Sequence, residues 1–341
     1  MKAAVFKGVG RPLAIEERPN PKPGPGQVLI KVGRVGICAT DLHMTSGHGQ
    51  QYPLDTIPGH EYAGEVVALG PGVTRLKIGD RIAPMPIVGC GKCAACLSGE
   101  IRWCVEQNMA GLGGSFSQYA LAGERECAIL APEVDDTDGA LIEPLAVGLH
   151  GVRLAEIPVG ARVLVLGAGA IGLAAAFWAR RLGAGRVVVT ARSDRRGAIA
   201  KAMGAHAFVA QKGLSDEEAG QAFNAALGGE PDIIIEAVGM GGVIAKAVNW
   251  VKMRGTIVSL GFFGEPDPII PAVCMWKQVR IQFSMVYDLT DFQYVANVLA
   301  TDHTPRAMIT DTVALASLAS KFEAMRAPTS TDCKVMLDPW G

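Results

Sequence analysis

The alternation of apolar and polar positions changes character part-way along the chain. From residue 1 to about 140, short apolar β segments such as Val28 to Val35, Tyr62 to Leu69 and Arg81 to Pro84 stand between Gly and Pro punctuation, and helical periodicity is scarce. After Pro158, apolar strands alternate with amphipathic stretches. Arg162 to Leu166 is followed by a helix to Leu182, Arg186 to Thr190 by a helix to Met203, and Ala207 to Ala210, Asp232 to Ala237 and Thr256 to Leu260 continue the series. That rhythm predicts a parallel sheet with helices on both faces. The tail from about Tyr287 predicts one helix and a last β segment, Lys334 to Leu337, returning to the first domain. The expected fold is α/β, with a doubly wound parallel-sheet domain over residues 147–286 and a mainly β domain assembled from 1–146 and 287–341.

Composition agrees with two packed domains: of 341 residues, 49% are hydrophobic and 19% charged. The formal net charge is -1 and the Lys and Arg residues are scattered, so no basic run offers a footprint for nucleic acid. A small molecule is the expected ligand. The longest weakly polar run, Val163 to Ala179, is short for a membrane span and is interrupted by Gly167, Gly169 and Gly172, so no membrane association is expected. The opening residues MKAAVFKGVG carry no apolar h-region, and a cytoplasmic location is the expectation.

Four of the eight cysteines cluster as Cys90-x2-Cys93-x2-Cys96-x7-Cys104. Four thiolates on one compact lobe, residues 90–104, suit a tetrahedral Zn²⁺ with every position filled, which staples a loop and does no Lewis-acid chemistry. An iron–sulfur cluster and plain buried cysteines are the rival readings, although the spacing differs from ferredoxin runs. A second set is dispersed: Cys38 with Thr40, Asp41 and His43, then His60-Glu61, then Glu143. Cys38, His60 and one carboxylate would supply the three ligands of a catalytic zinc that keeps one position open.

Gly167-Ala-Gly169-Ala170-Ile171-Gly172 follows an apolar strand and opens a helix, the context a dinucleotide fingerprint requires. The first glycine permits the tight turn, the second a close approach of backbone to pyrophosphate, and the third close helix packing. The helix N–H groups then receive the phosphates.

The runs GICATDLH, PGHEYAGEVVALG, GCGKCAACLSGEIRWC, GALIEPLAVGLHGV and GAGAIG resemble, in order and in spacing, the medium-chain zinc-dependent alcohol dehydrogenase family. The resemblance spans essentially the whole chain, and Glu143 in its EPL context is similar to the polyol, sorbitol and butanediol dehydrogenase branch. It implies a GroES-like catalytic domain beside a Rossmann cofactor domain, two zinc ions per chain, and a homodimer or homotetramer. It further implies that Cys38 and His60 bind the catalytic zinc and that Glu61 or Glu143 supplies the third ligand, a choice the sequence leaves open. By the same resemblance Asp41 accepts the free ring N–H of His60, with capping of a short helix as the alternative. Thr40 matches the relay hydroxyl, and His43 the residue that passes the proton onward. His48, His206 and His303 have no comparable partners, and His150 reads as a packed structural histidine.

The implied reaction is hydride transfer between a nicotinamide cofactor and a secondary alcohol or polyol, or the matching ketone. A threonine-type amino-alcohol dehydrogenase and a catalytically silent cofactor-binding protein are the alternatives. Met44 after His43, where sorbitol-type relatives carry an aromatic, points to a less polar substrate. The strand after the fingerprint helix ends at Thr190 and is followed by Ala191 and Arg192, with Arg196 nearby. A neutral Ala191 removes the carboxylate that repels a 2′-phosphate, and Arg192 offers a bidentate guanidinium, so NADP(H) is expected over NAD(H). Asp194 lies 22 residues after Gly172, near the spacing of a ribose-binding acid. The Ser193-Asp194 pair is expected instead to cap the next helix and to spend that carboxylate on its N–H groups.

Overall fold

The structure is a computed structural model, described over residues 1–47, 49–106, 114–327 and 329–341; His48 lies outside this range. The chain divides into two compact units, Met1–Glu143 with Tyr287–Gly341, and Pro144–Val286.

In the first unit, β1 (Lys2–Val5) and β2 (Ala14–Glu17) form a small antiparallel pair. The main sheet is built on the ten-residue strand β3 (Gln27–Gly36), which leads into a short helix α1 (Ala39–Met44). Then come β4 (Glu61–Leu69), β5 (Arg81–Pro84), a four-residue helix α2 (Ala94–Leu97), β6 (Tyr119–Gly123) and β7 (Cys127–Ile129). The alternating burial of β3 turns Val28, Ile30 and Val32 into a core with Tyr62, Val66, Ile82 and Phe116. Bulges at Leu29/Ile30 and Val32/Arg34 shift the β3–β4 register, so that Gly36 faces Glu61 at the far end of the ladder.

A 19-residue helix, α3 (Asp136–Leu154), follows. The apolar pattern assigns no element to most of this stretch, because Gly139, Pro144 and Gly148 disguise the periodicity, and Pro144 sits inside the helix.

The second unit is the alternating series: β8 (Arg162–Leu166), α4 (Ala170–Arg181), β9 (Arg186–Ala191), α5 (Gly197–Ala202), β10 (Ala207–Ala210), α6 (Asp216–Leu227), β11 (Ile233–Glu236), α7 (Val243–Trp250) and β12 (Thr256–Ser259). Beyond the expected strands it adds α8 (Pro271–Lys277) and an edge strand β13 (Arg280–Phe283). The sheet is parallel throughout in the order β10-β9-β8-β11-β12-β13, a doubly wound arrangement with the switch between β8 and β11. Its central strands β8, β9, β11 and β12 are apolar on both faces, as burial between two helix layers demands.

The chain then re-enters the first unit with α9 (Leu289–Leu299), β14 (Ile309–Ala314), α10 (Leu318–Arg326) and β15 (Lys334–Asp338). The tail thus holds two helices and two strands rather than one of each. β14 alternates half-buried and exposed residues and borders the sheet, so its apolar signal is weak. β15 pairs with β3 through Met336–Gly36 and Leu337–Val35. Among the described residues no helix is long and apolar enough to cross a membrane.

Candidate functional site

Three adjacent strands deliver the first cluster. β3 ends at Gly36 and hands Cys38 to α1, β4 opens with Glu61 directly after His60, and β15 opens with Lys334. Ligand-type atoms of Cys38, His60 and Glu61 lie within 4.8 Å of one another. Cys38 is the N-cap of α1; its sulfur accepts from Thr40 N at 3.4 Å, and Asp41 Oδ2 accepts from Cys38 N at 3.1 Å. Of the two roles weighed for Asp41, the capping box of α1 is formed, whereas the hydrogen bond from His60 is not: fully buried Asp41 has Oδ1 3.4 Å from His60 Nδ1. That contact is an ion-pair distance without hydrogen-bond alignment, whereas Tyr52 Oη and Gly59 N donate to the same oxygen at 2.9 and 3.3 Å.

Lys334 is the residue sequence reasoning missed. It is 2% exposed, and its ammonium donates to Ile37 O at 3.1 Å and to Glu61 Oε2. Burial works against its charge, but the Glu61 carboxylate and the Cys38 sulfur outweigh burial and hold its pKa above the ordinary value. Gly36 makes room for this pair, because a Cβ there would meet Glu61 Oε2 at 2.1 Å. The only early signal was a lysine at the head of the apolar strand KVML.

Glu143, on α3, stands beside the trio. Burial drives its carboxyl up to about 7, with Glu61 adding repulsion and His60 and Lys334 opposing it. Tyr287 is wholly buried, stacked on Phe292 at 5.5 Å, with its hydroxyl near Glu143 but closing no hydrogen bond. It too was not anticipated.

The donor set suits a divalent cation. Glu61 Oε1 is buried without a hydrogen-bond partner, a costly state for a carboxylate oxygen that a metal would relieve. Burial disfavours a protonated His60, yet Asp41 and Cys38 overcome it and raise its pKa well above the ordinary value. The place a proton would take is thus strongly favourable for a cation. Thr40 and His43 are on the exposed side of α1.

In the cysteine lobe the four sulfurs of Cys90, Cys93, Cys96 and Cys104 lie within 4.8 Å of one another, with Cys90 and Cys96 4.0 Å apart. A tetrahedral Zn²⁺ with bonds of about 2.3 Å spaces its sulfurs by about 3.8 Å, so the lobe needs little adjustment. A backbone N–H at Cys96 brings the Cys93 thiol down to about 6, while burial drives Cys96 up to about 12. Gly89 leaves space for Cys96 Sγ, which an added Cβ would meet at 2.6 Å. Arg102 pairs with Asp288, and Leu289 N donates to Gly99 O at 3.2 Å, tying the lobe to α9.

In the second unit, Gly167 has φ +104° and a Cβ there would meet Ala237 O at 2.8 Å; at Gly172 it would meet Gly167 O at 2.0 Å. At Gly169, by contrast, nothing lies within 4 Å. Gly169 is also the N-cap of α4 and leaves that helix without a side-chain cap, with Ala170 and Ile171 in its first turn. Two crowded glycines and one open one match the division of labour a bound pyrophosphate requires. Arg196 Nη1 donates to Ala168 O at 3.1 Å, which places this guanidinium on the glycine turn itself. Arg192 is exposed beside Ala191. The expected cap does not form as drawn: Ser193 is the N-cap of a short 3₁₀ turn, Asp194–Arg196, but its side chain makes no capping bond and Asp194 is exposed. The turn starts too tightly for the serine to reach back.

His206 accepts from Val187 N at 2.9 Å, and His303 lies 2.7 Å from buried Asp138, which also receives Arg306. Both are structural placements.

Residues 24–133 match the Alcohol dehydrogenase GroES-like domain family, and residues 170–301 match the Zinc-binding dehydrogenase family. L-galactonate-5-dehydrogenase of Escherichia coli (strain K12) is 33% identical over 315 residues, covering 91% of either chain. The chain belongs to the zinc-dependent medium-chain alcohol dehydrogenase family. Among solved structures, one described as a short chain alcohol dehydrogenase from E. coli CFT073, complexed with NADH, matches with TM-score 0.89 at 28% identity over 99% of both chains. Another, assigned as a zinc-binding dehydrogenase from Sinorhizobium meliloti 1021 and bound to NADP, matches with TM-score 0.86 at 29% identity, again over 99% of both. The protein is accordingly a zinc-dependent oxidoreductase that uses NAD(P), with a Rossmann sheet in one unit and a GroES-like β domain in the other.

Proposed function

We propose that the chain moves a hydride between NADP(H) and a secondary alcohol or polyol, with Cys38, His60 and Glu61 as the ligands of a catalytic zinc. The observation that carries this reading is the trio, with His60 and Glu61 buried and Cys38 half-buried, in which Glu61 Oε1 has no hydrogen-bond partner among the described residues. A zinc ion there supplies Lewis acidity, which brings an alcohol hydroxyl toward deprotonation near neutral pH. Around it, Asp41 orients His60, Lys334 holds the second oxygen of Glu61, and Glu143 with Tyr287 lines the same pocket of charge. Thr40 takes the proton from the reacting hydroxyl and His43 passes it on. The first unit is the catalytic domain, its lobe of Cys90, Cys93, Cys96 and Cys104 holding a second, structural zinc, and the second unit binds the cofactor on the Gly167–Gly172 turn. Polyols are favoured as substrates because a relative 34% identical over 278 residues, from Halalkalibacterium halodurans, is named for one, sorbitol. Ala191 and Arg192 support the NADP(H) preference.

Self-association is supported by the edge of the parallel sheet. Among the described residues β13 is unpaired on one side, and its own Phe283 is 64% exposed, with Met275 and Trp276 of α8 76% and 79% exposed. An edge strand can pair antiparallel with its own copy, and such a contact suits a two-fold dimer.

The test is a rate screen of diols, polyols, simple secondary alcohols and amino alcohols with both cofactors, on protein whose zinc has been counted. Turnover of secondary hydroxyls at two zinc ions per chain supports the reading. Preference for amino alcohols moves it to the threonine type, and cofactor binding without turnover of any alcohol makes the protein a silent binder.

A further inference from the structure

α1 carries Thr40, Asp41 and His43 and starts from Cys38, yet it is only six residues long. A helix of that length does not hold its own shape and depends on what ties its ends. The N-terminal end is secured through Asp41, which receives Cys38 N, Tyr52 Oη and Gly59 N. The C-terminal end is secured from the other end of the sequence. Arg326, the last residue of α10, donates from Nη1 to Leu42 O at 2.7 Å and from Nη2 to Thr45 Oγ1. Thr45 in turn donates to Asp41 O at 2.7 Å, so the guanidinium reaches the middle of α1 through one hydroxyl. Arg326 is itself held, 5.3 Å from the ring of buried Phe322 and 3.2 Å from Glu323 Oε2. A cation at this end also complements the exposed carbonyls of the last turn.

We propose that Arg326 is a positioning residue for the reaction: its two-pronged contact fixes the last turn of α1 and so sets where Thr40 and His43 stand relative to the Cys38–His60–Glu61 trio. The role rests on the relay assigned above to Thr40 and His43. It does not extend to metal binding, because the end of α1 that bears Cys38 has its own fastening in Asp41. A cleft of about 380 Å³ bordered by Gly10, Arg11, Ser46 and Glu323 lies on the outer side of the clamp, so shortening Arg326 opens a space to solvent rather than a sealed void.

The experiment compares zinc-loaded wild type, Arg326→Ala and Arg326→Lys at full length. In Arg326→Ala, amide exchange across residues 42–46 should accelerate, kcat should fall by about 10- to 100-fold, as a displacement of catalytic groups by roughly 1 Å does, and the cofactor KM and zinc content should stay within twofold. Arg326→Lys, which keeps a donor for Leu42 O, should recover part of the lost kcat. Unchanged exchange, unchanged kcat, or an equal loss of zinc and melting temperature in both variants overturns the proposal. Thr40→Val measured alongside separates the two readings. Full turnover in Thr40→Val defeats the relay alone, and the exchange rates of Arg326→Ala then decide whether the clamp exists.

Discussion

Gly36 offers the sharpest probe of the metal site. It faces Glu61 across β3 and β4, and an added Cβ would meet Glu61 Oε2 at 2.1 Å, whereas ordinary contact begins at 3.4 Å. Gly36→Ala must therefore displace the carboxylate by about 1.3 Å, the difference between those two distances. The backbone itself should tolerate this, since Gly36 is not in the left-handed region. The cost falls on the oxygen in the way, which belongs to the buried Glu61–Lys334 pair, and stability should drop by up to about 3–5 kcal/mol, the cost of breaking a buried pair. The site should not tolerate it, because the same movement pulls Glu61 from Lys334 and from the trio. Misplacing a catalytic group by about 1 Å costs on the order of 100-fold, or about 2.7 kcal/mol of transition-state stabilisation. The assay is kcat/KM on the best alcohol of the screen, with zinc content and thermal melting measured on the same preparation. A variant that melts like wild type, keeps its zinc and turns over within threefold of wild type would refute the argument and return the third ligand to Glu143.

Thr40→Val keeps the shape of the side chain but deletes its hydroxyl, and alcohol oxidation should drop by roughly 10²–10⁴-fold with cofactor affinity unchanged, as read by steady-state rates and fluorescence titration. Cys93→Ser opens the closed lobe, so elemental analysis should find about one zinc fewer per chain and melting should fall more than turnover per remaining catalytic zinc. Ala191→Asp combined with Arg192→Ala should reverse the cofactor preference; a kcat/KM ratio that does not move would make Asp194 the ribose acid. Acid stability of the second unit tests Asp232: burial opposes its charge, but Arg162 and Lys252 prevail and hold its carboxyl below the ordinary value. A depressed carboxyl stabilises the fold above the unfolded-state value of about 4, and that contribution is lost as pH falls further. Asp232→Asn should therefore melt lower at pH 7 and show a shallower decline below about pH 4.

Much of the fold could be read from the chain because its strands announce themselves. Val163 to Leu166, Val187 to Val189 and Ile233 to Ile235 are buried on both faces and appear as unbroken apolar runs. What escaped notice lacks that signature. All four positions of β13 are exposed or half-exposed at the sheet edge, β14 alternates weakly, and α3 hides its period behind Gly139, Pro144 and Gly148. The glycine turn was legible for a different reason, since its three glycines answer three distinct steric demands within six residues. The cap at Ser193 was misjudged because residue type favours a cap, while the actual geometry of a 3₁₀ start is decided by the strand that feeds it.

The metal trio shows where local pattern stops and topology begins. Glu61 and Glu143 are both carboxylates in suggestive contexts, and neither motif ranks one above the other. The proposed choice of Glu61 rests on a contact 273 positions away in sequence: β15 lies beside β3, so Lys334 arrives against Glu61. One oxygen of Glu61 is then neutralised and anchored while the other is left without a partner. At Glu143 burial prevails over the attraction of His60 and Lys334 and pushes the carboxyl up to about 7. The two carboxyl groups therefore differ in their partners: Glu61 receives the Lys334 ammonium, and Glu143 is held by burial at about 7. On the proposed reading, Glu61 adds a carboxylate oxygen to the Cys38 thiolate and the His60 imidazole in a Zn²⁺ ligand set, while Glu143, beside Tyr287, is left to hydrogen-bond a hydroxylated substrate.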